Sequence, residues 1–131
     1  MSGWEAWIKP YVDQGVHHCG IYDQAGNPWT CANLNLTQAE AARLATIVKN
    51  KDNSVFGEGL TLNGEKWTVV KIDDDAMVIR GKQDCNKEKT MTISLGKQCM
   101  VVGANKDSSL AGQSASAKVG QLKKSLEDQG Y

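Results

Sequence analysis

The sequence predicts an α+β fold, with a helix near each end of the chain and a mostly antiparallel sheet between them. Near both ends, apolar residues recur every three or four positions, whereas between residues 59 and 102 they form short runs separated by turn-forming residues. Helices and strands that are segregated in this way are typical of layered α+β domains. The 131 residues suit one domain covering 1–131, because domains of about 100–150 residues build a single core.

The first predicted helix lies near the start of the chain. Its apolar residues are spaced by three and four positions, which places them on one helical face. They are Trp4, Trp7, Ile8, Tyr11 and Val12. Pro10 lacks an N–H and its ring crowds the preceding turn, so we expect either a kink or an early end of the helix there.

A strand, a turn and a second strand are predicted between Val16 and Asn33, because the turn-favouring residues 23–28 separate two short runs. A second helix follows. Thr37 and Glu40 have the spacing of a capping box, in which each side chain accepts a hydrogen bond from the other residue's backbone N–H. The apolar positions of this helix keep the helical period up to residue 48.

About five further strands are predicted between Gly59 and Val102. Asn63-Gly64 is a strong hairpin signal, and residues 73–75, 83–88 and 96–97 mark further breaks. The chain closes with a helix that ends at Gly130. Its apolar face contains Ala115, Val119, Leu122 and Leu126.

Composition excludes several classes of protein. Fifteen basic residues balance fifteen acidic ones, so no global field attracts nucleic acid or a membrane, and any charged partner must meet a local patch. Apolar runs are far shorter than the roughly 20 residues of a membrane span, and the start does not resemble a signal peptide. We therefore expect a cytosolic protein whose cysteines are reduced, buried and apolar in character. They are Cys19, Cys31, Cys85 and Cys99.

Chemistry-bearing motifs are few. His17-His18-Cys19 combines metal-ligating residue types, but adjacent strand residues point to alternate faces and cannot surround one ion. Asp73–Asp75 lacks the glycine and distal glutamate of a calcium loop, so a solvated hairpin turn explains it better. We find no phosphate loop, catalytic triad or acid–base pair. The chain is expected to be neither an enzyme nor a holder of metal or cofactor.

Aromatic residues are the most informative ones. Trp4, Trp7 and Tyr11 crowd the first helix, and Tyr131 is the last residue, where burial in a core is hard to arrange. Core packing is the alternative interpretation for each tryptophan. Side by side on a surface, however, such rings form a groove that docks a polyproline II helix, because flat rings pack on proline rings and indole N–H groups donate to the ligand's carbonyls.

Four segments of the chain resemble, in order and spacing, motifs of the profilin family, and together they span essentially the whole chain. They are Ser2–Ile8, similar to the family's opening Gly-Trp-x-x-Tyr-[Ile/Val]; Asn27–Trp29, similar to its second-strand Trp region; Gly59–Lys66, similar to its hairpin; and Asp128–Tyr131, similar to its Gln-Gly-aromatic ending. The resemblance implies a profilin-like antiparallel sheet of about seven strands. It also implies that the terminal helices pack together on one face, with a further helix on the other.

The resemblance implies a polyproline groove built from the terminal helices and the second strand. Carried over by position, its residues are Trp4, Trp7, Trp29 and Tyr131. The family usually has Tyr where Trp7 stands, which keeps a flat ring with a donor. At Ser125 the family has Tyr or His, so a ring and its donor are missing here, and either groove affinity is reduced or Trp7 compensates.

The resemblance also implies an actin-binding face made by the middle strands and the start of the last helix. It maps onto Phe56, Lys66, Val69, Lys71, Arg80, Lys82, Gly112, Gln113, Ser116 and Gln121. Strand alternation aligns Lys66 with Thr68 and Arg80 with Lys82, so a basic patch is geometrically reasonable. Gln113, Ser116 and Gln121 depart from the family's common Gly, Asn and Glu.

The function implied is that of a monomeric, cytoplasmic cytoskeletal protein that regulates actin polymerisation. Its expected partners are monomeric actin, proline-rich proteins such as formin-type assembly factors and phosphoinositide head groups, with no nucleic acid. Lys71, Arg80 and Lys82 are the expected phosphoinositide-binding residues. Two alternatives remain: an adapter for proline-rich ligands that binds actin weakly, and a small α+β sensor domain whose tryptophans line an internal pocket.

Overall fold

The computed structural model describes residues 4–34, 36–62, 64–73, 75–83, 89–105 and 112–131, with only the backbone of 112 and 113. The helices in these ranges are α1 (Glu5–Asp13), α2 (Gln38–Asn50), α3 (Val55–Glu58) and α4 (Gly112–Asp128). The strands are β1 (His18–Asp23), β2 (Pro28–Ala32), β3 (Leu60–Leu62), β4 (Glu65–Ile72), β5 (Ala76–Gly81), β6 (Thr90–Leu95) and β7 (Cys99–Ala104). Among the described residues, no helix is both long and apolar enough to cross a membrane.

The strands form one antiparallel sheet in the order β2-β1-β7-β6-β5-β4-β3. Because β1 pairs with β7, the first and last parts of the strand region meet within the sheet. Strands β3 to β7 follow one another as a meander, as the turn signals predict. The seven-stranded sheet between terminal helices confirms the predicted α+β fold class.

Each face of the sheet has its own apolar core, because successive strand side chains point to opposite faces. On one face, residues such as Ile21 and Val101 pack with α1 and with the predicted apolar stripe of α4. On the other face, residues such as Ile79 and Ile93 pack with the apolar side of α2 and with Val55 of α3. The terminal helices therefore share one face, and α2 covers the opposite one.

Helix α1 continues three residues past Pro10 and ends at Asp13. The early end at Pro10, one of two expected outcomes, is therefore not what the chain adopts. The helix ends with hydrogen bonds from the Gln14 N–H to the carbonyls of Pro10 and Tyr11, at 3.1 and 3.2 Å. The apolar side of the helix, which includes Ile8, still reaches the core.

Helix α2 begins with the predicted capping box. The Glu40 N–H donates to Thr37 Oγ1 at 3.1 Å, and the Thr37 N–H donates to Glu40 Oε1 at 3.0 Å. The helix ends at Asn50, and Lys51 follows in the left-handed conformation at φ 49°. The short helix α3 was not predicted, because its four residues lie within a stretch dominated by polar and turn-forming residues.

The turn between β1 and β2 packs directly on α2 through Gly26. This glycine has φ +96°, and a Cβ there would lie 2.3 Å from the Gln38 carbonyl oxygen and 2.8 Å from the Ala42 nitrogen. The other predicted hairpin glycine, Gly64, has φ +78° and open space around it, while its partner Asn63 lies outside the described residues. Gly26 thus joins the hairpin to the helix by a close backbone approach.

The described cysteines differ in exposure. Cys19 and Cys99 are free and buried, as expected, and burial raises the pKa of the Cys19 thiol to about 12. Cys31 is free but exposed, so the expectation that it is buried is wrong. It lies on the alternate side of β2 from Thr30, and its thiol donates to the Tyr22 hydroxyl at 3.2 Å. Cys85 lies outside the described residues.

Candidate ligand-binding surfaces

Four aromatic side chains from three parts of the chain meet on the face covered by the terminal helices. Trp4 is central: its ring stacks on Trp29 at 4.8 Å between centroids, meets Tyr131 edge-on at 4.9 Å and lies 6.3 Å from Trp7. Trp29 also meets Tyr131 edge-on at 5.9 Å. All four are partly exposed and pack against the core beneath α1 and α4. We call Trp4, Trp7, Trp29 and Tyr131 the aromatic cluster.

Backbone contacts fix Tyr131 in the cluster. Its N–H donates to the Leu126 carbonyl at 2.9 Å, which turns the chain back after α4. Its carbonyl accepts hydrogen bonds from the N–H groups of Gln98 and Cys99 in the β6–β7 turn. The Gln98 side chain also donates to the Gly130 carbonyl at 3.1 Å. These bonds hold the ring of Tyr131 against Trp4, which directly precedes α1, and Trp29 of β2.

Ser125 lies exposed on the side of α4 that faces α1. Lys118 marks that side, because its ammonium donates to the Gln14 side chain just after α1 at 2.7 Å. Ser125 follows Lys118 by seven residues, or about two helical turns, and so shares its side of the helix. A small hydroxyl therefore stands where the family resemblance implies a further ring.

A second surface lies on β4 and β5, beside the strands β6 and β7 on which α4 packs. Lys66, Lys71, Arg80 and Lys82 are exposed there and form what we call the basic face. Arg80 of β5 lies directly opposite Thr68 of β4. The Lys82 N–H donates a hydrogen bond to the Lys66 carbonyl at 3.1 Å, so these two lysines also lie opposite each other. The expected alignment of Lys66 with Thr68 and of Arg80 with Lys82 agrees with this register.

Val69, which the family resemblance assigns to the actin-binding face, is not exposed beside these residues, which corrects that assignment. It is 4% exposed and packs in the core beneath α2. Strict alternation from Val69 would also turn Lys71 inward. However, the β4–β5 register shifts between Val69 and Lys71, so Val70 is an extra residue in the strand. Both Val70, which is 52% exposed, and Lys71 therefore face outward.

Phe56 lies on α3 rather than on a strand, and it is 43% exposed. Helix α3 contacts β4, one of the two strands that carry the basic face. Sequence reasoning missed Val70 as a second exposed apolar side chain. The run Thr68–Ile72 does carry a signal for the bulge, because regular alternation from Trp67 would place the charged Lys71 in the core.

The four residues of α4 that the resemblance assigns to the actin-binding face differ in where they lie. Gly112 has no side chain, and the side chain of Gln113 lies outside the described part of the structure. Ser116 faces the sheet, and its hydroxyl hydrogen-bonds to the Thr92 hydroxyl at 2.5 Å. Gln121 follows Ser116 by five residues, which turns it roughly 140° around the helix. It is exposed but does not share the edge of α4 that borders β5 and the basic face.

Charge pairs border the basic face at the β4–β5 turn. Lys123 of α4 binds Asp75 at 2.5 Å and Glu127 at 2.9 Å. Although burial favours the neutral amine, the hydrogen bonds to Asp75 and Glu127 prevail and raise the pKa of Lys123. Lys71 lies 3.5 Å from Asp73 in an exposed pair, and such pairs contribute little to stability. The positive charge of Lys71 is thus partly offset by the carboxylate of Asp73.

Metal-ligand chemistry does not assemble in the part of the chain that the structure describes. No group of three or more His, Cys, Asp or Glu side chains could hold an ion there. His17 and His18 meet edge to face at 4.7 Å, and His18 Nδ1 hydrogen-bonds to the Asn33 carbonyl at 2.5 Å. Burial lowers the pKa of His18, which favours its neutral form.

Comparison with known proteins agrees with this architecture. The profilin family model matches residues 2–131. Profilin-P of Physarum polycephalum is 31% identical over 129 residues, covering 94% of this chain and 98% of that protein. Profilin-A of the same organism is 28% identical and covers 98% of both chains. The chain therefore belongs to the profilin family.

Solved structures show the same fold. Acanthamoeba castellanii profilin IA has a TM-score of 0.83 at 21% identity and covers 98% of this chain and 99% of its own. Mouse profilin IIa, in complex with a double repeat from the FH1 domain of mDia1, has a TM-score of 0.79 at 21% identity with the same coverage. Profilins are non-enzymatic actin-binding proteins, so the expectation that this chain is not an enzyme is confirmed.

Proposed function

We propose that this protein binds proline-rich segments through the aromatic cluster and monomeric actin through the basic face, and that it thereby regulates actin polymerisation. The convergence of Trp4, Trp7, Trp29 and Tyr131 on one partly exposed surface carries the proposal. Membership of the profilin family supports it. So does the mouse relative of the same fold that was solved with an FH1 repeat.

The aromatic cluster suits an extended proline-rich ligand. Its rings lie 4.8–6.3 Å apart and tilt against one another, which creates flat walls of different orientation. Proline rings pack on such walls, and a polyproline II helix loses little entropy on binding because it is already extended. Formin-type assembly factors with proline-rich repeats are the partners that we propose.

The basic face suits an acidic partner surface. Exposed Lys66, Arg80 and Lys82 lie on β4, on β5 and just after β5, respectively. The exposed apolar side chains are Val70 on β4 and Phe56 on α3, which contacts β4. A mixture of cations and apolar anchors is typical of protein interfaces in which charge steers the encounter and apolar contacts hold it. We propose actin as the partner, with Ser116 and the start of α4 at the edge of the contact.

We also propose that Lys71, Arg80 and Lys82 bind phosphoinositide head groups. Lysine and arginine near a membrane surface are attracted to anionic lipids by about 1 kcal/mol each. Since these residues belong to the basic face, phosphoinositide and actin would compete for the protein. A cytoplasmic, monomeric protein fits both interactions.

An adapter that binds actin weakly is a second candidate. The position of Gln121 favours it, because this side chain is turned away from the edge of α4 that borders the basic face. The sensor interpretation loses support, since Trp4, Trp7 and Trp29 lie on a surface. Actin affinity therefore distinguishes the two remaining candidates.

Titration with a polyproline peptide tests the proposal. Three of the four tryptophans belong to the aromatic cluster, so intrinsic fluorescence should change on binding, with half-saturation in the micromolar range. A Gly-Ser peptide of equal length is the control. Absence of any response to polyproline at millimolar proline would rule out the groove.

Replacing Arg80 by Glu tests the actin surface. We expect actin affinity to fall about three- to tenfold at low ionic strength, because the reversal turns an attractive rim charge into a repulsive one. The loss should shrink near 0.15 M salt, where the Debye length is about 8 Å. Pyrene-actin assembly assays would measure it.

Lys49→Glu is the matched control, since Lys49 is an exposed cation on α2, on the opposite face of the sheet. It should leave actin affinity unchanged. If Arg80→Glu behaves like Lys49→Glu at low salt, Arg80 does not belong to the actin site.

A further inference from the structure

The β6–β7 turn is the place where hydrogen bonds join separate parts of the chain. The Gly96 N–H closes this turn by donating to the Cys99 carbonyl at 2.8 Å. The backbone N–H groups of Gln98 and Cys99 donate to the carbonyl of Tyr131. Gln24, in the turn between β1 and β2, donates from its side chain to the carbonyls of Gly96 at 3.0 Å and Cys99 at 3.3 Å. The β6–β7 turn therefore links the residue after α4 to the hairpin of β1 and β2.

Each of the two linked segments carries a ring of the aromatic cluster. Tyr131 is itself bound by the turn, and Trp29 lies on β2, which follows the turn that contains Gln24. Asp23 keeps that β1–β2 turn compact, because its carboxylate accepts from two backbone N–H groups within the turn, both at 2.9 Å. The rings of Trp29 and Tyr131 meet edge-on at 5.9 Å. A shift of either segment relative to the β6–β7 turn therefore changes the contact between these two rings.

Gly96 allows the backbone of Tyr131 to approach the β6–β7 turn closely. A Cβ at Gly96 would lie 3.0 Å from the Tyr131 carbonyl oxygen and 2.8 Å from Cys99 Sγ. Gly96 has no positive φ, so space rather than backbone strain excludes a side chain there. The Gln98 side chain adds a hydrogen bond to the Gly130 carbonyl at 3.1 Å. The last two residues are thus held against the turn by both backbone and side-chain contacts.

We propose that the β6–β7 turn positions two rings of the aromatic cluster for proline-rich ligands, with Gln98 and Gln24 as its positioning residues. Gln98 sets the place of Tyr131, and Gln24 ties the turn to the hairpin that carries Trp29. Rings that are already held in place lose less freedom when the ligand binds, so affinity is higher. Neither glutamine belongs to the cluster, and each acts through the residues that it holds. The inference rests on the function proposed for the aromatic cluster.

Replacement of each glutamine by methionine tests the proposal, because methionine keeps the length of the side chain and removes its N–H donors. We expect Gln98→Met and Gln24→Met each to lower the affinity for a polyproline peptide about two- to tenfold, which is the range for one net hydrogen bond. Isothermal titration would measure the change. Gln38→Met is the matched control, since Gln38 is exposed at the start of α2, which covers the opposite face of the sheet. It should leave the affinity unchanged.

NMR spectra of the ligand-free protein distinguish positioning of the ring from direct contact with the ligand. The ring protons of Tyr131 lie in the ring-current fields of Trp4 and Trp29, at 4.9 and 5.9 Å between centroids, so their resonances report where the ring lies. We expect Gln98→Met and Gln24→Met to move these resonances in ¹H–¹³C spectra and Gln38→Met to leave them in place. They are assigned by their loss in Tyr131→Leu.

Unchanged Tyr131 resonances in either Gln98→Met or Gln24→Met would overturn the proposal. So would resonances that move while the affinity for polyproline stays the same, or a Gln38→Met protein that loses as much affinity as the other two. A wild-type protein that does not bind polyproline would refute the function proposed for the aromatic cluster and, with it, the effect on affinity. In that case the resonances would still decide whether the turn positions Tyr131.

Discussion

Trp4→Ala should lower polyproline affinity at least tenfold and leave actin affinity unchanged. Trp4 is the only member of the aromatic cluster whose ring contacts all three others among the described residues. Removing it takes away one wall and the support for Trp7, Trp29 and Tyr131. Truncation of such aromatic anchors commonly costs about 2 kcal/mol or more in binding. Isothermal titration with a polyproline peptide would measure the change.

Trp7→Ala is the graded control for this experiment. Within the cluster the Trp7 ring has a close contact only to Trp4, at 6.3 Å between centroids. Its removal should weaken polyproline binding less than removal of Trp4. A folded Trp4→Ala protein with full polyproline affinity would show that the cluster is not the groove. Equal losses in both variants would show that Trp4 has no central role.

Gly26→Ala should lower the free energy of unfolding by about 2–5 kcal/mol. A side chain at φ +96° is strained, which costs about 1–2 kcal/mol, and the added Cβ would overlap the backbone of α2, which adds the penalty of overpacking, about 1–3 kcal/mol. The backbone cannot move aside as a flexible side chain could. Urea denaturation would measure the loss.

Gly64→Ala separates the two causes of this loss. Gly64 also has a positive φ, +78°, but nothing lies within 4 Å of the position of its Cβ. Only the conformational penalty of about 1–2 kcal/mol should appear. Equal destabilisation by the two substitutions would mean that the contact between the β1–β2 turn and α2 contributes nothing.

Local signals in the sequence were sufficient to predict most of the fold. The capping residues Thr37 and Glu40 mark the start of α2, and the apolar stripe that ends at Leu126 marks α4, because both features depend only on neighbours within a turn or two. The turn signals likewise separate the strands of the meander. The family resemblance, rather than periodicity, placed both terminal helices on the same face of the sheet.

Features that depend on tertiary contacts were not predictable in this way. The position of the bulge at Val70 is a property of the pairing of β4 with β5, not of either strand alone. Val69 was assigned to the actin-binding face by the family resemblance, although alternation from Lys66 and Thr68 turns its side chain to the other side of β4. The aromatic cluster was anticipated because the family motifs already mark its four positions.

The bulge at Val70 has a consequence for sequence alignment. Deleting Val70 would restore regular pairing while Val69 and Ile72 stay inside and Lys71 stays outside, since only the extra residue is lost. In a regular strand, by contrast, deleting one residue reverses the facing of everything beyond it. A one-residue gap opposite Val70 in a homologue is therefore compatible with an unchanged core, and it marks the loss of one exposed apolar side chain rather than a different fold.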